Sequence, residues 1–471
     1  MFKRIFTAII SMFLVAMPVF AIQDGDVLSL EQCIELALQN DPNLKISESS
    51  DEIDLSRIRQ AKSEYFPTFG AGAGYNVQNI STNNTGYNNG TNSNNYGQIN
   101  ASVNQLIWNF GKTTARINME KYNWQADEFE SEDMVLNVIH RVKSAYFTVL
   151  ATSANEDVHK RSVQINELHY QRAKALFEEG LISKIDVVNA EVYLTDAKIQ
   201  LISAQNRYNT SIIALNNAMF LVDAPKYTIE NTESFNFQKM EEAQENDENL
   251  SPVAYKQGDD DNTALLTSGI EKNDILQDFI FTPWTTPLET VIKLAHENRP
   301  DLKSIIMIQN ASEESLKAVK RMYMPELGAT GGYNYRNFEG GGSTNSLSAG
   351  ISLNFTSNLL GTKYRVDEAK HYLDIAGHNV DLLSKNIYFE VQRNYYNMLE
   401  LEQRVPLMRQ KVSQTLENFE LADGRYTVGL GNFIELQTAQ TNYNNAQLAY
   451  VQSVFDYNVA KVLLERSMGV K

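Results

Sequence analysis

Two carboxylates stand at matching places in this chain: Asp186 and Glu435, each three residues after a helix-capping residue type, Ser183 and Asn432. That spacing is a capping box, in which the Ser or Asn side chain accepts from the helix start and the acid bonds back to the cap. The local chemistry is end-sealing, and it leaves a second role open to either acid. Just before them lie Gly180 and Gly429, each followed by a leucine, Leu181 and Leu430. Glycine there ends a helix. A leucine at a helix tip has no such local explanation and reads as a contact residue. Other chemistry is absent. His140, His159, His169, His296, His371 and His378 make no recognisable ligand spacing, and His371 and His378 share a helix face by chance. There is no Gly-rich phosphate loop and no nucleophile motif. The sequence predicts neither an enzyme nor a cofactor. Its one cysteine, Cys33, lies on the amphipathic stretch Leu28 to Leu38, cannot form an intrachain disulfide, and reads as a small apolar helix residue.

The elements that must carry these tips occur twice. Residues 28–219 and 286–468 read as divergent copies. Leu30, Pro42, Pro67, Gly70, Tyr75 and Asn76 recur 258 positions later; Val142, Tyr146, Gly180, Ile185 and Leu215 recur 249 positions later. The nine missing residues fall between two predicted strands. Two copies are too few for a solenoid and imply a pseudo-symmetric whole.

Each copy reads helix, Pro, strand, loop, strand, very long helix, tight turn, helix. In the first, the strands span about 68–78 and 98–107 and the long helices 111–177 and 183–219. In the second, strands span about 326–336 and 346–355 and helices 362–426 and 432–467. Phe69, Ala71, Ala73, Tyr75 and Val77 alternate with Thr68, Gly70, Gly72, Gly74, Asn76 and Gln78. Ile99, Ala101, Val103 and Ile107 continue the pattern, and only Gln105 breaks the apolar face. About 10 residues of such alternation is the length of an outer-membrane strand, lipid on one side and water on the other. Phe66, Tyr96, Trp108, Phe110, Tyr323 and Phe338 sit near strand ends and suit interfacial girdles. The linker from Asn79 to Tyr96, crowded with Asn, Gly, Ser and Thr, reads as a long extracellular loop. Four strands cannot close a barrel, because the smallest need about eight. Three chains would supply twelve. The unbroken span from Gly111 to Phe177 would be a helix of roughly 100 Å. Its return partner carries Ile185, Val188, Val192, Ile199 and Ile202 at coiled-coil spacings.

The first 21 residues, with Lys3, Arg4 and the apolar run Ile5 to Val15, read as a cleaved secretory signal. A net charge of −17 makes nucleic acid an improbable partner. Much of that charge lies in the acidic segment between the copies, within residues 221–285, which reads as a solvated insert.

With strands and helices in this order, the sequence resembles the TolC family of outer-membrane efflux ducts over essentially the whole mature chain. The likeness rests on the duplicated element order and on the strand starts Pro67 to Gly70 and Pro325 to Gly328. It rests also on the paired turns Glu178 to Asp186 and Tyr426 to Glu435. The resemblance implies a membrane α+β fold in two tandem repeats, 22–220 and 286–471. Three chains would form a homotrimer with a 12-stranded β-barrel in outer-membrane lipid, continued by an α-helical coiled-coil tunnel through the periplasm, with the 221–285 segment equatorial. It also implies a passive exit for drugs, amphiphiles or metal ions, docked to a periplasmic adaptor and an energised inner-membrane pump of RND, ABC or MFS type. The exit of a type I protein-secretion system and a secreted coiled-coil structural or adhesive protein are the competing readings.

By the same resemblance, Glu435 would form a ring of three carboxylates at the periplasmic mouth, a device that favours cations. Tyr426 and Asp186 would form a link holding that mouth shut, and Leu181 and Leu430 would touch the adaptor. The chain departs from the family where a second acid is expected at Thr438 and a basic residue at Gly431, so the latch is expected to be thin. The first tip keeps Ile185, Val188 and Val192 where the second has Ile434, Gln437 and Thr441. The second hairpin is therefore expected to face water.

Overall fold

The computed structural model describes residues 23–77, 79–81, 91–93, 95–230, 283–355 and 358–470. The leader expected over 1–21, nearly all of the acidic insert and part of the Asn79–Tyr96 linker lie outside the described residues. In chain order the elements are β1 (Val27–Leu28), α1 (Leu30–Asn40), α2 (Pro42–Ser63), β2 (Thr68–Asn76), β3 (Asn79–Ser81), β4 (Thr91–Ser93), β5 (Tyr96–Trp108), α3 (Lys112–Glu178) and α4 (Lys184–Ala218). They continue with β6 (Thr228–Ile229), α5 (Leu288–Asn298), α6 (Pro300–Lys320), a short 3-10 turn (Arg321–Tyr323), β7 (Glu326–Phe338), β8 (Ser343–Asn354), α7 (Leu359–Thr427) and α8 (Phe433–Ser467). Every expected strand and long helix is present, with ends moved by a few residues. The linker differs: β3 and β4 pair as a short antiparallel hairpin where the sequence predicts loop alone. No described helix is long and apolar enough to cross a membrane.

Contacts divide the chain into two compact units. One, residues 42–134 and 296–389, holds a four-stranded antiparallel sheet in the order β2, β5, β7, β8. Both β2 and β7 begin directly after a proline, Pro67 and Pro325. Proline disfavours helix in the residue before it and donates no hydrogen bond, so it stops the incoming helix and starts the strand. The register sorts side chains by face. Phe69 lies opposite Val103, Ala101 opposite Tyr333, Tyr333 opposite Leu347 and Ala329 opposite Ile351, so all of these share one face. Thr68, Asn100, Ser102, Asn334 and Ser346 share the other. On that polar face a Cβ on Gly70 or Gly72 would come within 2.8 Å of Ser102 Oγ or Asn100 Oδ1, so the glycines make room for their larger partners.

Two sequence expectations change here. Tyr96 pairs with Asn76 and with Phe338, which puts both aromatic residues on the polar face and not on the apolar face expected to carry a girdle. The polar break at Gln105 also has a cause. Its amide donates to the backbone carbonyls of Tyr65, at 2.9 Å, and Leu106, at 2.7 Å, beside a register shift at Leu106 and Trp108.

The other unit comprises the described residues within 1–41, 135–295 and 390–471. Its core includes Val138, Val142, Tyr146, Leu215, Met219 and Leu464, all buried. Strands β1 and β6 form a two-stranded parallel sheet, and the buried Tyr146 hydroxyl donates to the carbonyls of Leu28 and Glu230 at its end. Asp41, fully buried, holds Arg141 at 2.7 Å. Cys33 is buried, and burial pushes its thiol up to about 12, as expected of an inert apolar residue. Helix α7 runs through Pro406, which forfeits the hydrogen bond its N–H would have donated to Glu402.

Candidate functional site

Both hairpin tips close in the same way. Gly180 and Gly429 each take φ +77°, a left-handed conformation that favours glycine. Around the first, Gly180 N–H bonds the carbonyl of Phe177 and Leu181 N–H bonds that of Leu176, both at 2.9 Å. Around the second, Gly429 bonds Tyr426 at 3.1 Å and Leu430 bonds Arg425 at 2.9 Å. Each pair is a Schellman closure. Such a motif commonly turns the residue after the glycine back onto its helix, yet Leu181 and Leu430 are 67% and 78% exposed.

The returning helices are capped differently. Ser183 accepts from Ile185 N at 3.1 Å and Asp186 Oδ2 accepts from Ser183 N at 3.3 Å, completing the expected capping box. At the second tip Asn432 accepts from Glu435 N at 2.7 Å, but the return bond is missing. Glu435 instead pairs with Arg425 at 3.3 Å across the turn. Thr438 bonds back to the Ile434 carbonyl of its own helix at 2.8 Å. Pro67 and Pro325 lie in the other unit, as strand starts.

Between the hairpins, Ala173, Ala190, Phe419, Ala422, Tyr426, Phe433, Leu436 and Ala439 form a buried cluster. Alanines at the seam let the helices approach closely, and the rings of Tyr426 and Phe433 meet at 5.9 Å. The Tyr426 hydroxyl is buried and has no hydrogen-bond partner. The link expected between Tyr426 and Asp186 is therefore not made, although Asp186 is near enough for its charge to add to burial in raising the tyrosine pKa. One of the bonds that tie the hairpins is invisible in the sequence. Arg172, on α3, reaches Asp423 at 3.0 Å and Thr427 at 3.1 Å, both on α7. His169, one turn away, is buried against Phe419 with both ring nitrogens unpartnered. Burial lowers its pKa to about 4, with Asp423 opposing and Arg172 assisting, so it is neutral at physiological pH.

Gln437 also departs from expectation. It is buried at 4% exposure and donates to Asn166 Oδ1 at 3.1 Å, so it does not face water. Next to it Gln440 is fully buried and neither of its amide atoms finds a protein partner. An unsatisfied buried amide costs about 1–3 kcal/mol. Gln440→Leu, close in volume, is thus expected to raise the melting temperature of the purified protein by a few degrees. A lower melting temperature would mean that a bound water or a rearranged partner satisfies that amide.

The curated relatives match in part. Toxin and drug export protein A of Aggregatibacter actinomycetemcomitans is 24% identical over 183 residues, 36% of this chain and 38% of the relative. The outer membrane protein TolC of Vibrio cholerae is 24% identical over 191 residues, 41% of this chain and 43% of the relative. The chain thus spans about two fifths of the length of these curated relatives. Solved folds match more fully. The outer-membrane channel OprN aligns with TM-score 0.72 at 15% identity, over 94% of this chain and 90% of that one. The outer membrane protein VceC of Vibrio cholerae aligns with TM-score 0.70 at 16% identity, over 94% and 96%. The family model described as outer membrane efflux protein matches residues 33–219 and 291–470, and with most of its length so covered the chain belongs to the outer membrane efflux protein family.

Proposed function

We propose that this chain is the outer-membrane exit duct of a tripartite efflux system, a passive channel made of three copies. The observation that carries the reading is the sheet of β2, β5, β7 and β8. Its apolar face is open, with Phe69, Leu347 and Ile351 exposed at 79%, 85% and 75%, and such a face is at home in lipid. Its outer strands β2 and β8 each leave an edge of backbone groups without partners in the sheet, which lipid cannot satisfy. Three copies, joined edge to edge, close a 12-stranded barrel around water. Residues 22–220 and 286–471 act as tandem repeats, each giving one strand pair and one helical hairpin. Helix α4 supplies a coiled-coil seam: Ile185, Val188, Val192, Ile199 and Ile202 lie 45–66% exposed along it.

At the tips, a ring of three Glu435 carboxylates faces the periplasm and favours cations. The Arg172–Asp423 pair holds the two hairpins together and the Arg425–Glu435 pair braces the second turn, with Asp186 and Thr438 alongside. Leu181 and Leu430 meet a periplasmic adaptor, which joins the duct to an inner-membrane pump of RND, ABC or MFS type. Drugs, amphiphiles or metal ions are the cargo class, and the pump does the selecting. Purified protein added to planar bilayers tests this reading. Discrete, long-lived conductance steps support it; a protein that stays soluble and gives no steps removes it.

A further inference from the structure

The strands are almost free of charge. From Phe66 to Gly111 there is no Asp, Glu, Lys or Arg at all, and from Leu327 to Thr362 the only ones are Arg336 and Glu339. An ionisable residue within a membrane segment is costly and marks function by default. Register fixes where this one points. Arg336 lies opposite Gln98 and Thr344, on the polar face, near the β7–β8 turn and away from the helices. There the guanidinium carbon sits 5.5 Å from the Tyr96 ring centroid, and Tyr96 meets Phe338 at 5.6 Å on the same face. Among the described residues Arg336 makes no ion pair. The neighbouring acid is turned aside: Glu339 accepts from Tyr75, on the apolar face, at 2.9 Å and from Asn95 at 2.7 Å. At the opposite end of the polar face the one acid, Glu326, is matched by Lys112 at 3.1 Å.

We propose that Arg336, held over Tyr96, forms a ring of three fixed positive charges at the outer end of the strand pore and eases the exit of anionic amphiphiles. The inference rests on the three-chain duct. Rings of Arg or Lys favour anions in pores, and the aromatic shelf adds an apolar surface for the body of such a cargo.

Arg336→Cys tests the ring in planar bilayers, because the only other thiol, Cys33, is buried and protonated. The readout is the reversal potential in a potassium chloride gradient before and after a cationic (trimethylammonium-ethyl) or anionic (sulfonato-ethyl) methanethiosulfonate reagent is added from the outer side. The chloride-to-potassium permeability ratio is expected to fall about twofold in the variant near 0.01 M salt, where screening is weak, and to change less above about 0.1 M. The cationic reagent should restore the ratio and the anionic reagent lower it further, while Arg336→Lys should match wild type. Equal ratios for wild type, Arg336→Lys and both modified forms of Arg336→Cys would overturn the ring while leaving the duct standing. Absence of channels from the wild-type protein would instead overturn the duct itself.

Discussion

Arg172→Ala or Asp423→Ala is expected to raise the open probability of single channels about tenfold, with Tyr426→Phe leaving it unchanged. The two charged side chains are only 22% and 24% exposed, so their 3.0 Å bond is poorly screened, and Arg172 also holds Thr427. A hydrogen bond between charged groups in such a setting contributes about 1.5–3 kcal/mol. A closed-to-open equilibrium shifts tenfold for every ~1.4 kcal/mol removed from one state. Removing both partners together should do no more than Arg172→Ala alone, because that change already removes the Asp423 pair and the Thr427 bond. Tyr426→Phe is the contrasting case. Its hydroxyl is buried without a partner, so the latch gives up nothing and the core loses an unsatisfied group. A gain from Tyr426→Phe equal to that from Arg172→Ala would return the latch to Tyr426 and Asp186.

Leu347→Arg is expected to abolish assembly in the outer membrane while leaving the helical unit folded. Leu347 lies in the middle of β8, opposite Tyr333, and is 85% exposed on the apolar face. An arginine on the lipid face near the bilayer midplane costs about 2–4 kcal/mol per chain, and three chains in one barrel pay it three times. In a soluble half-buried sheet the same change would add surface charge and improve solubility. The outer-membrane fraction after cell breakage reads the result directly. Undiminished trimer there would mean that this face does not meet lipid.

The four sheet strands were legible because a period of two is hard to produce by chance over ten residues. Among residues within the paired strands, the register changes the expected face of Tyr96 and Phe338. Aromatic residues at strand ends suit a girdle, but parity counted from Asn76 puts them on the polar face. Counting parity along the strands would have caught this. The two glycine closures were legible too, since only a left-handed residue can end both helices so abruptly. The latch was not. Arg172 and Asp423 are 251 positions apart, and each looks like an ordinary solvated charge on a long helix. Arg425 was nearer to being visible, since it stands one residue before Tyr426 and ten before its partner Glu435. Gln437 misled for a related reason: hydropathy cannot separate a glutamine facing water from one bonded across a helix seam to Asn166.

The central claim is that one chain is a third of a pore, because a four-stranded sheet with two open edges and an apolar face is stable only when closed by its neighbours. The most direct test is the native mass of the complex extracted from the outer membrane in mild detergent. A species of three chains, dissociating to one chain of at most 53.3 kDa on heating, is the predicted result. A folded single chain or a dimer in that fraction would contradict it.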